Sequence, residues 1–431
     1  MGSRARDHLI PDAGWAFLGS AAFAKAATLA TLGIVFFAYP ITAMIGWWGY
    51  GSMLATIAVL GAASLWVRRG ELEWHGMLPI SLLIFVGWSA LSILWSQYNW
   101  SSLGGIAYQV AVAFLGVFIA LSRDLLQLVR AVGDVLRVVL AFSLIAEVLS
   151  GLLIDMPIPF LGISGNLDQG GPLEGLLGTR NQFGVVAAIA VMTFFVELAT
   201  RSVSRWVSAT SLGVALLTVT LTQSPVTAGV LGVLIVATAV LFGIRRASEP
   251  LRRVLNLALV IALGFGLVVV WLARGSVIQL LNAGSEFELR YTLWVQVLSL
   301  AQLNPINGAG WVGIWPRDIP PYSWFLVAGR EHASALNGFV DVAFQLGLVG
   351  LIAFIALLGL ALVRSWLLAT RRRTITYVWP ALVLLVLATT TLAESTILVG
   401  FGWLMLVMCA VMASRNLSWR TRLPRDGASG L

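Results

Sequence analysis

In a chain that is 59% hydrophobic and 11% charged, few side chains can do chemistry. Arg180 and Asn181 open an apolar run in GLLGTRNQFGVV, with Thr179 placed to cap the helix. A guanidinium beside the free N–H groups of a helix start makes an anion site, and its planar fork suits phosphate oxygens. A snorkelling interfacial arginine is the plainer alternative. In SEFELRYTLWVQVLSLAQLNP, Arg290 and Trp294 fall one turn apart, and Glu286 lies one turn before Arg290, so a surface ion pair competes with a ligand role. His332 stands shortly before another apolar run. A helix N-terminus there opposes protonation and favours the neutral imidazole that a general base requires, while an ordinary interfacial histidine fits as well. Arg330 adds a cation two residues upstream. Asn337, Asp341 and Gln345 recur every four residues, which puts them on one helical stripe. Such a stripe either faces a functional cavity or hydrogen-bonds between helices.

The elements that carry these residues are membrane helices. A soluble domain has roughly 25% charged residues, and apolar runs recur along all 431 residues at a mean hydropathy of +0.92. A stretch such as VVAAIAVMTFFVELA shows none of the alternation of a transmembrane β-barrel. The class is therefore all-α and polytopic, with residues 1–431 as a single integral membrane domain. Windows of about 20 apolar residues predict twelve spans, near 20–38, 44–67, 76–95, 103–121, 133–154, 181–199, 206–222, 225–244, 254–273, 336–363, 377–391 and 395–413. Lys25 and Pro40 interrupt the first region. Cys409 is the single cysteine, which excludes an intrachain disulfide and a CxxC site.

Basic residues between these spans alternate. Twenty-one arginines fall on one side, from Arg4 and Arg6 through Arg371 to Arg373 and on to Arg425. Five fall on the other: Arg180, Arg274, Arg290, Arg317 and Arg330. The positive-inside rule makes the rich side cytoplasmic, with both termini there. His8 and His75 are then cytoplasmic, and His332 is the histidine on the outer face. Most of the net charge of +8 is topogenic and meets membrane lipids, which excludes reading it as a nucleic-acid surface. No cleavable signal peptide and no internal repeat are evident. The outer side carries two long connections, 155–180 and 274–335. The second is rich in Trp, Pro and Gly and reads as folded. Ser285 and Glu288 form a capping-box pattern and Pro305 lies past the end, so an interfacial helix is expected over about 286–303. Tyr98, Trp100, Trp311, Trp315, Tyr322 and Trp324 make the outer side aromatic, either as an interfacial belt or as a platform for sugar rings.

The order of GTRNQFG opening a mid-chain helix, an R-x-x-x-W helix ending in NP-x-x-G-x-G (Arg290, Trp294, Asn304, Pro305, Gly308, Gly310), and a segment running into QLGLVG (Gln345 to Gly350) resembles the O-antigen ligase/polymerase superfamily. The motifs cover about residues 176–355. The resemblance implies a GT-C-like glycosyltransferase of the bacterial cytoplasmic (inner) membrane. It would pass a glycan from an undecaprenyl (polyprenyl) diphosphate carrier to an acceptor sugar hydroxyl on the outer face, with inversion and without a metal or other cofactor. Its implied partners are the lipid-linked glycan donor and a glycan or glycolipid acceptor. Carried over, Arg180 and Arg290 would bind the diphosphate and His332 would deprotonate the acceptor. Arg330 would be a further phosphate contact, and Asn181, Trp294, Asn337 and Asp341 would line the substrate site. This chain departs from relatives in having Leu336 where many place His before Asn337. It also has Ser224-Pro225 where they often have Ser-Arg. His332 could serve from about one turn upstream if the helix begins early, or the base role could pass to Asp341. Ligase and polymerase roles are both open, as is the oligomeric state.

Two other classes compete. A transporter or flippase of lipid-linked glycans should spread charge along a central path and show repeat symmetry. Here the remaining intramembrane charges, Lys25, Asp134, Glu147 and Glu197, lie mostly in the cytoplasmic half or near span ends. A glycosyltransferase of the shape-and-division family would share the carrier but lack this motif order.

Overall fold

The computed structural model describes residues 9–70, 78–280, 284–327 and 329–417. The terminal arginines Arg4, Arg6, Arg420, Arg422 and Arg425, with His8 and His75, lie outside the described residues, and the expected side of the termini goes with them. Among the described residues the architecture is helical, with one hairpin of two-residue strands, Leu326–Val327 against Arg330–Glu331. Every expected span is a helix: α2 (Ala21–Phe36), α3 (Ala38–Val67), α4 (Ile80–Leu91), α5 (Asn99–Ser122), α6 (Leu125–Val148), α7 (Arg180–Thr200), α8 (Arg205–Leu221), α9 (Pro225–Arg246), α10 (Glu249–Leu272), α13 (Gly338–Arg371), α14 (Val378–Thr390) and α15 (Gly400–Leu417).

Among the described residues, six helices are long and apolar enough to cross a membrane, namely α3, α5, α6 with its π-helical extension, α7, α9 and α13. Five shorter apolar helices accompany them. This is a multi-pass membrane protein, although helix length alone does not give twelve crossings. Two further helices, α1 (Leu9–Leu18) and α11 (Arg274–Leu280), were not expected. Helix α12 (Gly284–Ala301) lies close to the 286–303 expected of a helix there. Ser285 falls inside its first turn, so the proposed capping box is not formed as read.

Helices α7 and α15 form the centre. Residues Phe183–Phe194 of α7 and Phe401–Ala413 of α15 are buried almost without interruption. Gly184 lets α7 and α9 approach closely, since a Cβ there would run into Thr227, as expected where lipid supplies no hydrophobic drive between helices. The periphery is apolar too: Trp48, Trp206 and Phe265 are exposed, which suits a surface wetted by lipid rather than water.

The two ends of the bundle are tied together by different contacts. At the arginine-rich end Arg245 caps carbonyls of Ala369 and Arg373, and Arg415 reaches the Ala120 carbonyl. At the other end the connections before α7, around α12 and after α14 meet one another.

That end is organised by a break in α13. Gly347 has φ +65° and ψ −164°, and a Cβ there would lie 2.1 Å from the Ile306 carbonyl oxygen. An interrupted helix frees backbone groups that lipid cannot satisfy. Here the NP-x-x-G-x-G segment takes them up. Ala309 N donates to Phe344 O (3.0 Å), Gly310 N to Gln345 O (2.8 Å) and Leu348 N to Pro305 O (2.9 Å). The Trp88 indole N–H serves Leu346 O at 3.0 Å. Gly308, with φ +73°, lets the two backbones touch. The two glycine motifs are thus halves of one joint.

Gly347→Ala should destabilise the protein by ~1–3 kcal/mol or more, from left-handed strain plus the clash. Gly359→Ala on the same helix meets open space and should be neutral. Thermal unfolding in detergent, read by size-exclusion fluorescence, checks both.

Candidate functional site

Arg180 and Arg290 converge. Thr179 caps α7 by accepting from Gln182 N at 3.3 Å, which leaves Arg180 in the first turn. The Arg180 guanidinium pairs with Glu286 on α12. The other Glu286 oxygen accepts from Arg290 Nη1 at 2.9 Å. One carboxylate is therefore clamped between two guanidinium groups from different elements. It is 20% exposed and not the surface ion pair that one-turn spacing suggested.

Arg290 is held on its other side as well. Its Nη2 donates to Glu394 at 3.1 Å and its Nε to the Ala393 carbonyl at 3.0 Å. Glu394 also accepts from Asn181 Nδ2 at 2.6 Å, and the Asn181 oxygen accepts from Ser224 Oγ at 2.8 Å. Ser224 in turn caps α9 through Thr227 N. Ser224 thus supplies a polar anchor at the start of α9. Two arginines face two glutamates, so the ionised cluster is neutral.

The two carboxylates are not alike. Burial alone would raise Glu286, but the hydrogen bonds and charges of Arg290 and Arg180 outweigh it and hold this carboxyl below its usual range. Burial dominates at Glu394 and pushes it up, against the pull of Arg290 and Asn181 and with repulsion from Glu286.

Glu394 was missed by the sequence reading. It sits in a short connection between two apolar runs, with no spacing relation to either arginine; a single carboxylate in a turn of Thr, Ala and Ser was its one signal.

The other expected site residues lie differently. Asn337 is the N-cap of α13: its oxygen accepts from Phe339 N and Val340 N, and its nitrogen donates to Leu392 O. Asp341 is 1% exposed and accepts from Trp315 Nε1 at 2.8 Å, Gln345 Nε2 at 2.7 Å and Ala335 N at 3.3 Å. Gln345 Oε1 receives Val312 N and Gly313 N. Asp341 and Gln345 on α13 are consequently a buried brace for the loop that follows α12. Asp341 is enclosed and engaged, which argues against its alternative role as base. Trp294 donates to Ala335 O at 3.0 Å and joins α12 to the chain entering α13.

His332 follows the hairpin and is partly exposed. The helix does not begin early: residues 332–337 are irregular, Leu336 has φ +49°, and α13 starts at Gly338. His332 therefore stands six residues before α13, outside the reach of its N-terminal dipole and not one helical turn from Asn337. Its segment is nonetheless tied to α12, since the Ala335 carbonyl bound by Trp294 lies three residues on. Arg330 pairs through its backbone with Val327, and its side chain lies outside the described residues.

A separate cavity of about 470 Å³ opens at the same end. Neither arginine lines it. Among the described residues, no three His, Cys, Asp or Glu side chains stand together as ligands for a metal ion.

Removing Arg290 would leave Glu394 buried beside no cation, so Arg290→Ala should cost ~3–5 kcal/mol. Arg290→Met with Glu394→Gln should recover much of it, checked by thermal unfolding. The lowered Glu286 contributes stability that is full above the usual carboxylate range and is lost as pH falls through its depressed value. Glu286→Gln should lack that acid limb in melting profiles taken from pH ~6 to ~3.

Comparison with known proteins bears on this geometry. No curated protein matches the chain significantly. Residues 210–355 match a family model described as O-antigen ligase. That span runs from α8 through the break in α13 and includes Arg290, His332 and both glycine motifs, while Arg180, Asn181 and Glu394 lie outside it. About a third of the chain is thus similar to the O-antigen ligase family, in keeping with the resemblance its motifs bear to the ligase/polymerase superfamily.

Proposed function

We propose that the protein transfers a glycan from a polyprenyl diphosphate, undecaprenyl in the expected case, to a sugar hydroxyl of a glycan or glycolipid acceptor. In this reading it is a GT-C-like enzyme of the bacterial cytoplasmic membrane, with about twelve crossings, both termini cytoplasmic and the reaction on the outer face. The observation that carries the reading is the clamp. Arg180 at a helix start and Arg290 on an interfacial helix already hold one anion between them. A diphosphate presents the same kind of oxygens, and Glu286 is exposed enough to give way to it.

The chemistry then follows from the charges. The acceptor oxygen forms a bond to the anomeric carbon as the bond from that carbon to the phosphate oxygen breaks, with inversion. His332 takes the acceptor proton, and the electron pair leaves with the polyprenyl diphosphate. Negative charge grows on the leaving group, and fixed guanidinium groups stabilise it where it develops. Arg290 is fixed by Glu394 and Ala393, which spares reorganisation during the reaction. Arg180 has one carboxylate partner and is freer to follow the phosphate. In this reading no step is assigned to a metal.

The test is transfer by purified protein from a polyprenyl-diphosphate glycan, run with EDTA present. Arg180→Ala and His332→Ala should each lower the rate by ~10²-fold or more, with wild-type elution on size exclusion. Full activity in both variants would overturn the assignment, and loss of wild-type activity on chelation would contradict the metal-free step.

A further inference from the structure

We propose that the cavity near the break in α13 is a saccharide subsite, which takes an uncharged stretch of the glycan away from the arginine clamp. The nature of its ligand rests on the glycan-transfer reading. The cavity itself is lined by Trp95, Tyr98, Asn304, Asn307, Tyr322 and Trp324, together with Gln97, two prolines and a few apolar groups. Its volume of about 470 Å³ falls in the range of small-molecule sites.

The lining contains no Asp, Glu, Lys, Arg or His. A diphosphate would find no counter-charge there, and an acyl chain would find too many amides. What the walls offer is aromatic faces and neutral hydrogen-bonding groups. A pyranose needs both, for its C–H faces and for its hydroxyls, which donate and accept. The amides of Gln97, Asn304 and Asn307 make no hydrogen bond to the protein among the described residues, so they remain available to a ligand.

The aromatic walls are held in place. Trp95 Nε1 donates to the Asn307 carbonyl at 3.1 Å, and its ring packs on Trp88, centroids 5.2 Å apart. Tyr322 is wedged against Trp315 and Phe344 at 5.7 and 5.8 Å. Burial, with Asp341 and Tyr98 nearby, pushes its phenol up, which keeps it a donor at neutral pH. Trp324 is 63% exposed at the mouth. The outer aromatics therefore do not form one class. Trp311 and Trp315 are buried in the core, Tyr98, Tyr322 and Trp324 shape the cavity, and Trp100 is exposed.

Saturation-transfer NMR on the purified full chain in detergent tests this. The probe is the oligosaccharide released by mild acid from the lipid-linked glycan of the source cells. Wild type and Arg180→Ala should both bind it, while Trp324→Ala with Asn307→Ala, at exposed positions, should bind about tenfold more weakly. Absence of wild-type binding, or equal binding by the cavity variant, overturns the subsite. If the cavity variant loses the sugar but wild type transfers no glycan, the subsite stands and the glycan-transfer reading falls.

Discussion

A guanidinium taken out of water must find opposite charge and acceptors on every side, and Arg290 meets this demand in full. Glu286, Glu394 and the Ala393 carbonyl surround it. Because these partners come from α12 and from the connection after α14, satisfying one side chain pulls two distant parts of the chain together. Asn181 and Ser224 then attach the starts of α7 and α9 to the same cluster. This end of the molecule is built around the compensation. It also sets the two arginines apart: Arg290 is locked, whereas Arg180, at 34% exposure with one carboxylate partner, keeps freedom to answer a ligand.

A second demand, from the backbone, shapes the neighbouring half of that end. Breaking α13 at Gly347 releases carbonyls that hydrocarbon cannot serve. The loop after α12 fills them residue by residue, and Trp88 completes the set. Asp341 and Gln345 anchor the loop from below by gripping Trp315 and the backbone of residues 312–313. A rigid joint results, and the aromatic cavity lies beside it. The family match ends just beyond this joint, so the matched span contains both glycine motifs.

Much of this was legible in the residues. The helical segments, the Thr179 cap and a helix close to 286–303 all follow from local periodicity, and the structure has each of them. The stripe of Asn337, Asp341 and Gln345 was visible, but its purpose was not. Asp341 and Gln345 reach an indole and backbone amides 26 to 33 residues away, and Asn337 reaches a carbonyl 55 residues on; nothing in helical spacing distinguishes a brace from a binding face. Glu394 was illegible because a single carboxylate in a short turn acquires meaning only through a contact more than a hundred residues distant. The early start supposed for α13 failed at Leu336, whose left-handed backbone sends the chain into the Asn337 cap rather than into a helical turn.

The central claim is that the place now filled by the Glu286 carboxylate is where a diphosphate goes. An experimental structure of the protein with polyprenyl diphosphate bound would decide it. The account requires phosphate oxygens between Arg180 and Arg290, Glu286 turned aside, and Arg290 still joined to Glu394. A diphosphate seated elsewhere, with the bridge through Glu286 undisturbed, would contradict it.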